Sequence, residues 1–525
     1  MADVTGPGTG RLSRAALPGA RRIVFGETAD ATIDDELHLM TAVDRAHLVM
    51  LRARGLIGAA DAATLIAAID DLDRDGYRAL RGRHAPRGLY LLYESHLAEV
   101  TGAEVAGRLH SGRSRNDVKA TICALRLREW HAAVLRETLR TEAVALNAAR
   151  RHRAAVLAGF THFQPSVPIT YGYYLAGVAA ALGREADRLL AEIPHLSRCP
   201  LGAGAMAGTD LPIDPELTAR LLGFAAPHPV ALDAVASRDS VSAVLAIAAS
   251  VAVTASRVAL DLQLWTSAEP ALLRLPDDLV GSSSAMPQKR NAYLLEHVRG
   301  RAARVLGAHT AVLAATRSAP FSNSIEVGTE AMAEAWPAYA HTVDVLRLLR
   351  MHLSGARPRP DRMAGHAAGH WTTATAVANR LVVEGHPFRR AHEVVGRLIT
   401  GIESGRPVRP GPPIERRAAE LLDTLDVGEA VRAARFGGGP GPESFAALWP
   451  RLHAGLRGRA AAAAGHLDVA VHWRQRLLDQ VDAAEGGDVR GNDDRVGGDQ
   501  FDGAAVAPAA VERPVGPLAE EGVGV

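Results

Sequence analysis

Two long stretches of the chain contain neither Gly nor Pro, and Ala, Leu, Arg and Glu dominate both. They run from Lys119 to Ala158 and from Ala234 to Glu269. Because these residue types have high helix propensity, both stretches predict long helices, and the second would extend roughly 50 Å if unbroken. Its middle, Ser240 to Ser256, is apolar or small on every face, which is typical of a helix buried on all sides.

A membrane span is the competing explanation for this apolar run. The run is slightly short for a span, contains four serines and a threonine, and is flanked by Arg238, Asp239 and Arg257. These features favour a helix at the centre of a bundle or in the core of an oligomer, with no membrane as partner.

Strand-like alternation is scarce and aromatic residues make up only 4% of the chain, so the pattern predicts an all-α protein. Gly and Pro cluster at Ser404 to Pro413 and at Gly437 to Pro442. We interpret these clusters as loops inside a smaller C-terminal helical unit. From Val481 the sequence loses its periodicity, and residues 481–525 are predicted to be a disordered tail.

Composition narrows the possible functions. With 525 residues, 48% of them hydrophobic, the chain can bury a large core. Its 59 Lys and Arg balance 58 Asp and Glu, which gives no general attraction to nucleic acid or anionic membranes.

Two cysteines, Cys123 and Cys199, cannot build a disulfide framework and lack zinc-site spacing. The N-terminus lacks a signal-peptide pattern, which favours the cytoplasm, and nothing in the sequence demands a metal or an organic cofactor.

The segment Gly281 to Asn291, GSSSAMPQKRN, reads either as a flexible linker or as a working loop. A linker has no need of a Met-Pro turn followed by Gln288, Lys289, Arg290 and Asn291, which place anion-binding donors beside hydroxyls. A second cluster, HSGRSRND, ends just before the first long helix. Its Ser114, Arg115 and Asn116 would offer an anion three donors near a helix N-terminus, although a capping segment with a solvated Arg fits equally.

Two further clusters interrupt the apolar pattern. Thr161, His162 and Gln164 lie among apolar residues just before Pro165; a lone His there is commonly a satisfied core residue, but the preceding helix must end here and present the pair at a turn. The segment Cys199 to Asp214 is rich in small residues and lacks dinucleotide-binding spacing. It is either a tight turn between helices or a loop that cradles a ligand.

Four segments, in this order along the chain, resemble motifs of the aspartase/fumarase superfamily: SRND, THxQ, LGxGAxAGTxxPID and SSxMPQKxN. Their sequences are most similar to those of argininosuccinate lyase. The resemblance covers about residues 21 to 475. Four other segments share it: Asp233 to Asp239, Leu264 to Glu269, Pro387 to Gly396 and Phe436 to Phe445.

The resemblance implies a three-domain, nearly all-helical subunit whose middle domain contributes five long helices to the core of a homotetramer, with each active site built from loops of three subunits. The domains it implies are an N-terminal domain at 21–118 after a flexible 1–20, a central bundle at 119–369 with a mobile loop at 281–291, and a C-terminal domain at 370–480.

The resemblance also implies roles for individual residues. Ser283 is the expected base, with neighbouring Ser284 as the alternative, while Lys289 supplies a cationic setting and Glu296 orients His162. Removing a weakly acidic proton beside a carboxylate creates a dianion that needs positioned donors. The remaining substrate-binding candidates are Ser114, Arg115, Asn116, Thr161, Gln164, Ser284, Asn291 and Asn323.

Two segments depart from argininosuccinate lyase. Where that family carries an acidic, His-containing segment, this chain has Pro86 to Glu94 and keeps only Glu94; where the family holds the arginine half of its substrate, Phe321 to Glu330 keeps only Asn323. We therefore hypothesise a carbon-nitrogen lyase that releases fumarate from another N-substituted aspartate, the apolar run Leu89 to Tyr93 favouring a less polar or smaller amine. The alternatives are an authentic argininosuccinate lyase, a non-catalytic structural member of the family, and a lyase that eliminates a different leaving group.

Overall fold

The structure, a computed structural model of the chain, describes residues 17–486 with gaps at residues 27, 29, 86–87 and 406–410. Its N-terminal part is helical from Pro18 onward, so the end of the segment expected to be flexible, residues 18–20, lies in the first helix, and residues 1–16 fall outside the described chain. The helices here are α1 (Pro18–Phe25), α2 (Asp30–Thr32), α3 (His38–Ala53), α4 (Ala59–Arg74), α5 (Leu89–Thr101) and α6 (Ala103–Arg108), with a π-helical turn at Ile33–Leu37 and a 3-10 turn at Arg78–Leu80.

A central bundle follows, built from five long helices joined by shorter elements. The helices from this region are α7 (Arg115–Arg151), α8 (Tyr171–Leu196), α9 (Pro215–Leu221), α10 (Ala231–Ala236), α11 (Asp239–Thr266), α12 (Tyr293–Thr316) and α13 (Ala331–Gly355), with a 3-10 turn at Asp277–Leu279 and a π-helical turn at Glu326–Glu330. The helices α7, α8, α11, α12 and α13 pack against one another and share two apolar cores. The predicted all-α fold with a central bundle of long helices is confirmed.

The helix expected to continue to Ala158 ends at Arg151, so that part of the prediction is wrong. Residues Val156–Thr161 form strand β1, which pairs antiparallel with β2 (Gln164–Thr170). The reason lies in β2: Pro165 and Pro168 exclude a helix there, and the extended segment binds the chain that precedes it. Two minimal sheets complete the strands: β3 (Arg198–Cys199) with β4 (Ala226–Pro227), and β5 (Leu273–Arg274) with β6 (Arg357–Pro358).

The second expected helix is also divided. It breaks at Ser237, whose backbone is extended and whose hydroxyl donates to the Asp233 carboxylate 2.5 Å away. Helix α11 then begins at Asp239 and packs against α8, α12 and α13. Within the described residues it is the helix that is long and apolar enough to cross a membrane, yet half of that stretch is buried in the bundle. Val253 and Leu264 stay exposed, so burial on every face is not achieved within one chain.

The C-terminal part separates into two units with different neighbours. Helices α15 (Ala374–Val383), α16 (Phe388–Glu403) and α17 (Pro413–Thr424) enclose their own apolar core. The short helices α14 (Pro360–Ala368) and α18 (Val427–Ala433) pack against the hairpin of β1 and β2. The 45-residue helix α19 (Pro442–Gly486) instead packs along α7 and α8. It buries Trp473 and Val481 in the N-terminal core. Residues 481–486 thus continue a helix instead of starting a tail, because Val481 has an apolar site to fill; residues 487–525 lie outside the described chain.

Candidate active site

At the start of α7, Ser114 and Asp117 form a capping box. Ser114 Oγ accepts a hydrogen bond from the Asn116 backbone N-H, and the Ser114 N-H donates to the Asp117 carboxylate at 2.9 Å. This reciprocal pairing satisfies backbone donors that a helix N-terminus leaves free. It fixes the direction in which Arg115 and Asn116 leave the helix. We call this end of the bundle the Asp117 end.

Asp117 also holds the glycine-rich segment that follows β3. Its second carboxylate oxygen accepts hydrogen bonds from Gly202 N-H at 3.1 Å and Gly204 N-H at 2.8 Å. Burial raises the pKa of the fully buried Asp117, while the three backbone donors oppose that rise. Gly204 has a φ of +60°, and a Cβ there would come within 2.6 Å of the Gly208 carbonyl oxygen. The small residues therefore serve close backbone packing.

A third segment converges on the same place. The Asn116 side chain donates to the Ala205 carbonyl and accepts from Asn323 Nδ2, both at 3.0 Å. Arg115 beside it is exposed, and no carboxylate in the described chain pairs with its guanidinium. An unpaired guanidinium, oriented amides and a helix N-terminus together favour a carboxylate ligand. Ser114, Arg115, Asn116 and Asn323 are thus brought together.

Tyr90 and Glu94, on α5, form a polar cluster with His110, which lies four positions before Ser114. Tyr90 Oη lies 3.0 Å and Glu94 Oε1 lies 3.1 Å from His110 Nδ1. Burial alone would raise the pKa of Glu94, but the hydrogen bonds with His110 and Tyr90 outweigh it and leave the pKa below its ordinary value. Leu89, Leu92 and Tyr93 are buried in the N-terminal core. The apolar run therefore packs the core, and its burial gives no support to the expectation of a less polar amine, which stays a prediction.

The opposite end of the bundle carries the hairpin β1–β2, and we call it the hairpin end. Thr161 pairs with Gln164 across the turn, and His162 and Phe163 between them have φ values of 54° and 63°. Two consecutive positive φ values are what a tight two-residue hairpin turn requires, normally supplied by Asn or Gly. The exposed His162 is therefore held in a conformation that side chains rarely adopt, which is common at functional sites.

The segment Gly281 to Asn291 forms a loop at the hairpin end, and its first and last residues are paired. Gly281 and Asn291 exchange two backbone hydrogen bonds of 2.8 Å, and Asn291 Nδ2 donates to the Ser282 carbonyl at 3.3 Å. Ser283 Oγ accepts from the N-H groups of Ala285 and Met286 at 3.3 and 3.1 Å. Ser284 and Lys289 are exposed on the same loop. The loop is anchored at its base and open at its tip.

Glu296, on the first turn of α12, is exposed and accepts a hydrogen bond from Gln263 Nε2 at 3.1 Å. In the described chain no hydrogen bond joins it to His162, and none joins His162 to Ser283. The Asp117 end lies farther away still, because the 37 residues of α7 span about 55 Å. The fold thus gathers the predicted residues into two solvent-accessible groups, one at the Asp117 end and one at the hairpin end of the bundle.

Asp117 anchors this end of the bundle and had no expected role, although Ser114 followed three residues later by Asp117 is a capping-box signal in the sequence. Tyr90 and His110 were likewise unassigned, and no sequence signal placed them together. Among the described residues, no group of three or more His, Cys, Asp or Glu side chains could hold a metal ion.

Comparison with known proteins agrees with this geometry. The family model described as lyase matches residues 55–307, and the one described as argininosuccinate lyase C-terminal matches residues 371–434. The argininosuccinate lyase of Methanoculleus marisnigri is 36% identical, covering 77% of this chain and 84% of that protein. That of Thermus thermophilus is 35% identical, covering 76% of this chain and 88% of that protein.

A solved structure of an EDDS lyase variant with bound fumarate has a TM-score of 0.78 at 26% identity, covering 90% of this chain and 97% of that one. The helical bundle with polar loops at both ends is that of a carbon-nitrogen lyase. The chain belongs to the aspartase/fumarase superfamily and stands close to the argininosuccinate lyases within it. The predicted resemblance and enzyme class are confirmed.

Proposed function

We propose that this enzyme catalyses the reversible elimination of an amine from an N-substituted aspartate other than argininosuccinate, with release of fumarate and with Ser283 as base. The observation that carries the proposal is the composition of the Asp117 end. Its carboxylate-binding donors, Ser114, Arg115 and Asn116, are intact, whereas the segments expected to hold an arginine side chain have changed. The EDDS lyase variant that shares this fold was solved with bound fumarate, which supports fumarate as one product.

The two solvent-accessible groups of residues support a shared site in a homotetramer. No single chain can join residues that α7 separates by about 55 Å, so the site would combine the Asp117 end of one copy with hairpin ends of others. The exposed apolar residues Val253, Leu264, Leu306 and Leu313 on α11 and α12 are suited to burial against neighbouring copies. In that assembly Glu296 of one copy would orient His162 of another.

The backbone around Ser283 supports its role as base. An alkoxide at Oγ would keep the two N-H donors of Ala285 and Met286 that the hydroxyl already accepts, and donors to the charged form lower a pKa. Closure of the loop would bring Lys289 nearby and exclude water. The base would take the proton beside the carboxylate, and the electron pair would form the fumarate double bond as the amine leaves with its nitrogen protonated by an acid.

The carboxylates and the developing dianion need several donors. Arg115 and Asn116 would come from one copy. Thr161, His162 and Gln164 on the hairpin and Ser284, Lys289 and Asn291 on the loop would complete the set from other copies. The part of the site that would bind the amine contains Asn323, whose side-chain amide already donates to Asn116. It also contains the cluster of Tyr90, Glu94 and His110.

Authentic argininosuccinate lyase is the second candidate, because several relatives at 31–36% identity carry that name. One assay separates the two proposals: ultraviolet absorbance of fumarate, followed with argininosuccinate and then with fumarate plus a panel of amines. We expect slow release from argininosuccinate and fumarate consumption with another amine. Rapid release from argininosuccinate would establish the second candidate.

A serine pair tests the base. Ser283→Ala should lower turnover at least about 100-fold, since it removes the general base, while Ser282→Ala on the same loop serves as the matched control. Gel filtration confirms that both variants assemble alike. Full turnover in Ser283→Ala would reject the assignment.

Cytoplasmic localisation is part of the proposal. Cys123 and Cys199 are both buried free thiols, which is the state that a reducing compartment maintains.

A further inference from the structure

A cavity of about 500 Å³ lies beside the hairpin end, outside the groups of residues proposed for catalysis. The last turn of α7, the base of the hairpin and helix α18 form three of its sides, and the first turns of α19 form the fourth. Val156 and Thr170, the residues that pair at the base of the hairpin, contribute to its wall. The volume is within the range of ligand-binding pockets.

Three arginines from two distant parts of the chain line this cavity: Arg150 and Arg153 at the end of α7, and Arg432 on α18. None of them forms an ion pair with a carboxylate in the described chain. The contrast with the neighbouring Arg435 is informative, because that side chain has Glu443 3.6 Å away. Three like charges around one cavity repel one another, so their convergence without an ion-paired carboxylate among the described residues favours an anionic ligand.

Part of the arginine arrangement has a structural role. Arg153 donates a hydrogen bond to the Arg150 carbonyl at 3.0 Å, which helps to terminate α7, and basic residues are favourable at a helix C-terminus. Arg432 lies in the last turn of α18, where a basic residue is likewise favourable, and it brings a third guanidinium to the wall of the same cavity. The helix ends explain each guanidinium singly, and the meeting of three of them at one cavity is the feature that favours an anion.

The opposite wall is aromatic and carries a second source of positive potential. Trp449 and Phe445 line it, and the Arg150 guanidinium lies 5.3 Å from the Trp449 ring centre. Helix α19 begins here at Pro442, preceded by Gly441, which has no side chain to cap the helix. The free N-H groups of that first turn and the helix dipole favour negative charge.

We propose that this cavity is a second ligand site, which binds an organic anion carrying two negative charges on a flat apolar ring. The charged group would lie among Arg150, Arg153 and Arg432, and the ring would pack against Trp449 and Phe445. The site is independent of the proposed reaction, since none of the lining residues belongs to the hairpin turn or to the loop at residues 281–291.

Calorimetric titration of the full chain with phenyl phosphate tests the proposal, with inorganic phosphate and phenol as probes of the two halves and excess fumarate present to occupy the catalytic site. We expect saturable binding of phenyl phosphate at least about tenfold tighter than phosphate, because the ring adds buried apolar area. Arg432→Gln should weaken binding about tenfold by removing a charged hydrogen bond, and Arg432→Lys should retain most of it.

The matched control is Arg151→Gln, on the same exposed turn of α7 but outside the lining; it should bind as the unmodified chain does. Three results would each overturn the proposal. They are no saturable binding up to about 10 mM, an equal loss in Arg151→Gln, and, in a parallel titration without fumarate, binding that excess fumarate abolishes while Arg432→Gln leaves it unchanged. Because binding is measured without turnover, failure here is distinguishable from failure of the proposed reaction.

Discussion

Replacing Asp117 with Asn changes one atom in the network that joins α7 to the glycine-rich segment. The carboxylate accepts three backbone hydrogen bonds between 2.8 and 3.1 Å, from Ser114, Gly202 and Gly204. An amide has a single oxygen, so its NH2 group would face at least one backbone N-H and leave that donor unpaired. The side chain is fully buried, and water cannot replace the lost acceptor.

Losing one charge-assisted hydrogen bond costs about 1.5–3 kcal/mol, and disrupting the capping box adds about 1 kcal/mol. Relief of the buried charge offsets part of this, so we expect Asp117→Asn to lower the free energy of unfolding by about 2–4 kcal/mol. Turnover should fall as well, because Asn116 and the segment at Ala205 lose their common anchor.

Urea denaturation followed by circular dichroism measures the first effect and fumarate absorbance the second. Asp239→Asn is the matched control, since that exposed carboxylate also sits at the start of a long helix and should change stability by less than about 1 kcal/mol. If Asp117→Asn stayed within that same margin and kept full turnover, the reasoning about this network would be wrong.

Three further outcomes are expected. Gly204→Ala should destabilise the chain by about 2 kcal/mol or more, because φ is +60° and the new Cβ would lie within 2.6 Å of a carbonyl oxygen; a melting temperature equal to that of Gly208→Ala would argue against it. Asp44→Asn should cost about 3–5 kcal/mol by leaving the buried Arg113 unpaired, which urea midpoints would measure. Burial lowers the pKa of His131 to about 4 and that of His466 to about 3. Because the unfolded state therefore binds more protons, the free energy of unfolding should fall by about 1.4 kcal/mol per pH unit and histidine as the pH drops from about 6.5 toward 4. A flat stability profile over that range would contradict this expectation.

Local sequence rules predicted the helices better than their ends. The start of α7 follows from its capping box, a signal contained in four consecutive residues. Its end does not, because residues 152–158 have helix propensity, yet residues 152–154 form a turn and residues 156–158 are extended and pair with β2. The division between α10 and α11 likewise depends on a hydrogen bond between Ser237 and Asp233. Contacts between residues close in sequence, a strand pairing in one case and a side-chain hydrogen bond in the other, mark these boundaries, and helix propensity alone does not display them.

The candidate site shows the same limit at a larger scale. Motif resemblance named Asn116 and Asn323, and the fold does bring them to 3.0 Å although 207 residues separate them. The segment Leu89 to Tyr93 shows this limit, because apolar residues in a sequence do not distinguish a pocket wall from core packing, and most of these side chains pack in the core. The expected pairing of Glu296 with His162 is not made within the described residues of one chain, where Glu296 accepts from Gln263; under the proposed shared site it would form between copies.

The separation of two polar groups by the length of α7 has a genetic consequence under the proposed shared site. A chain damaged at Asn116 would retain a sound hairpin end, and a chain damaged at Ser283 would retain a sound Asp117 end. When such chains assemble at random, some sites would draw both halves from undamaged ends. Two inactive variants mixed before assembly should therefore regain measurable activity, so that the severity of one lesion depends on which lesion accompanies it.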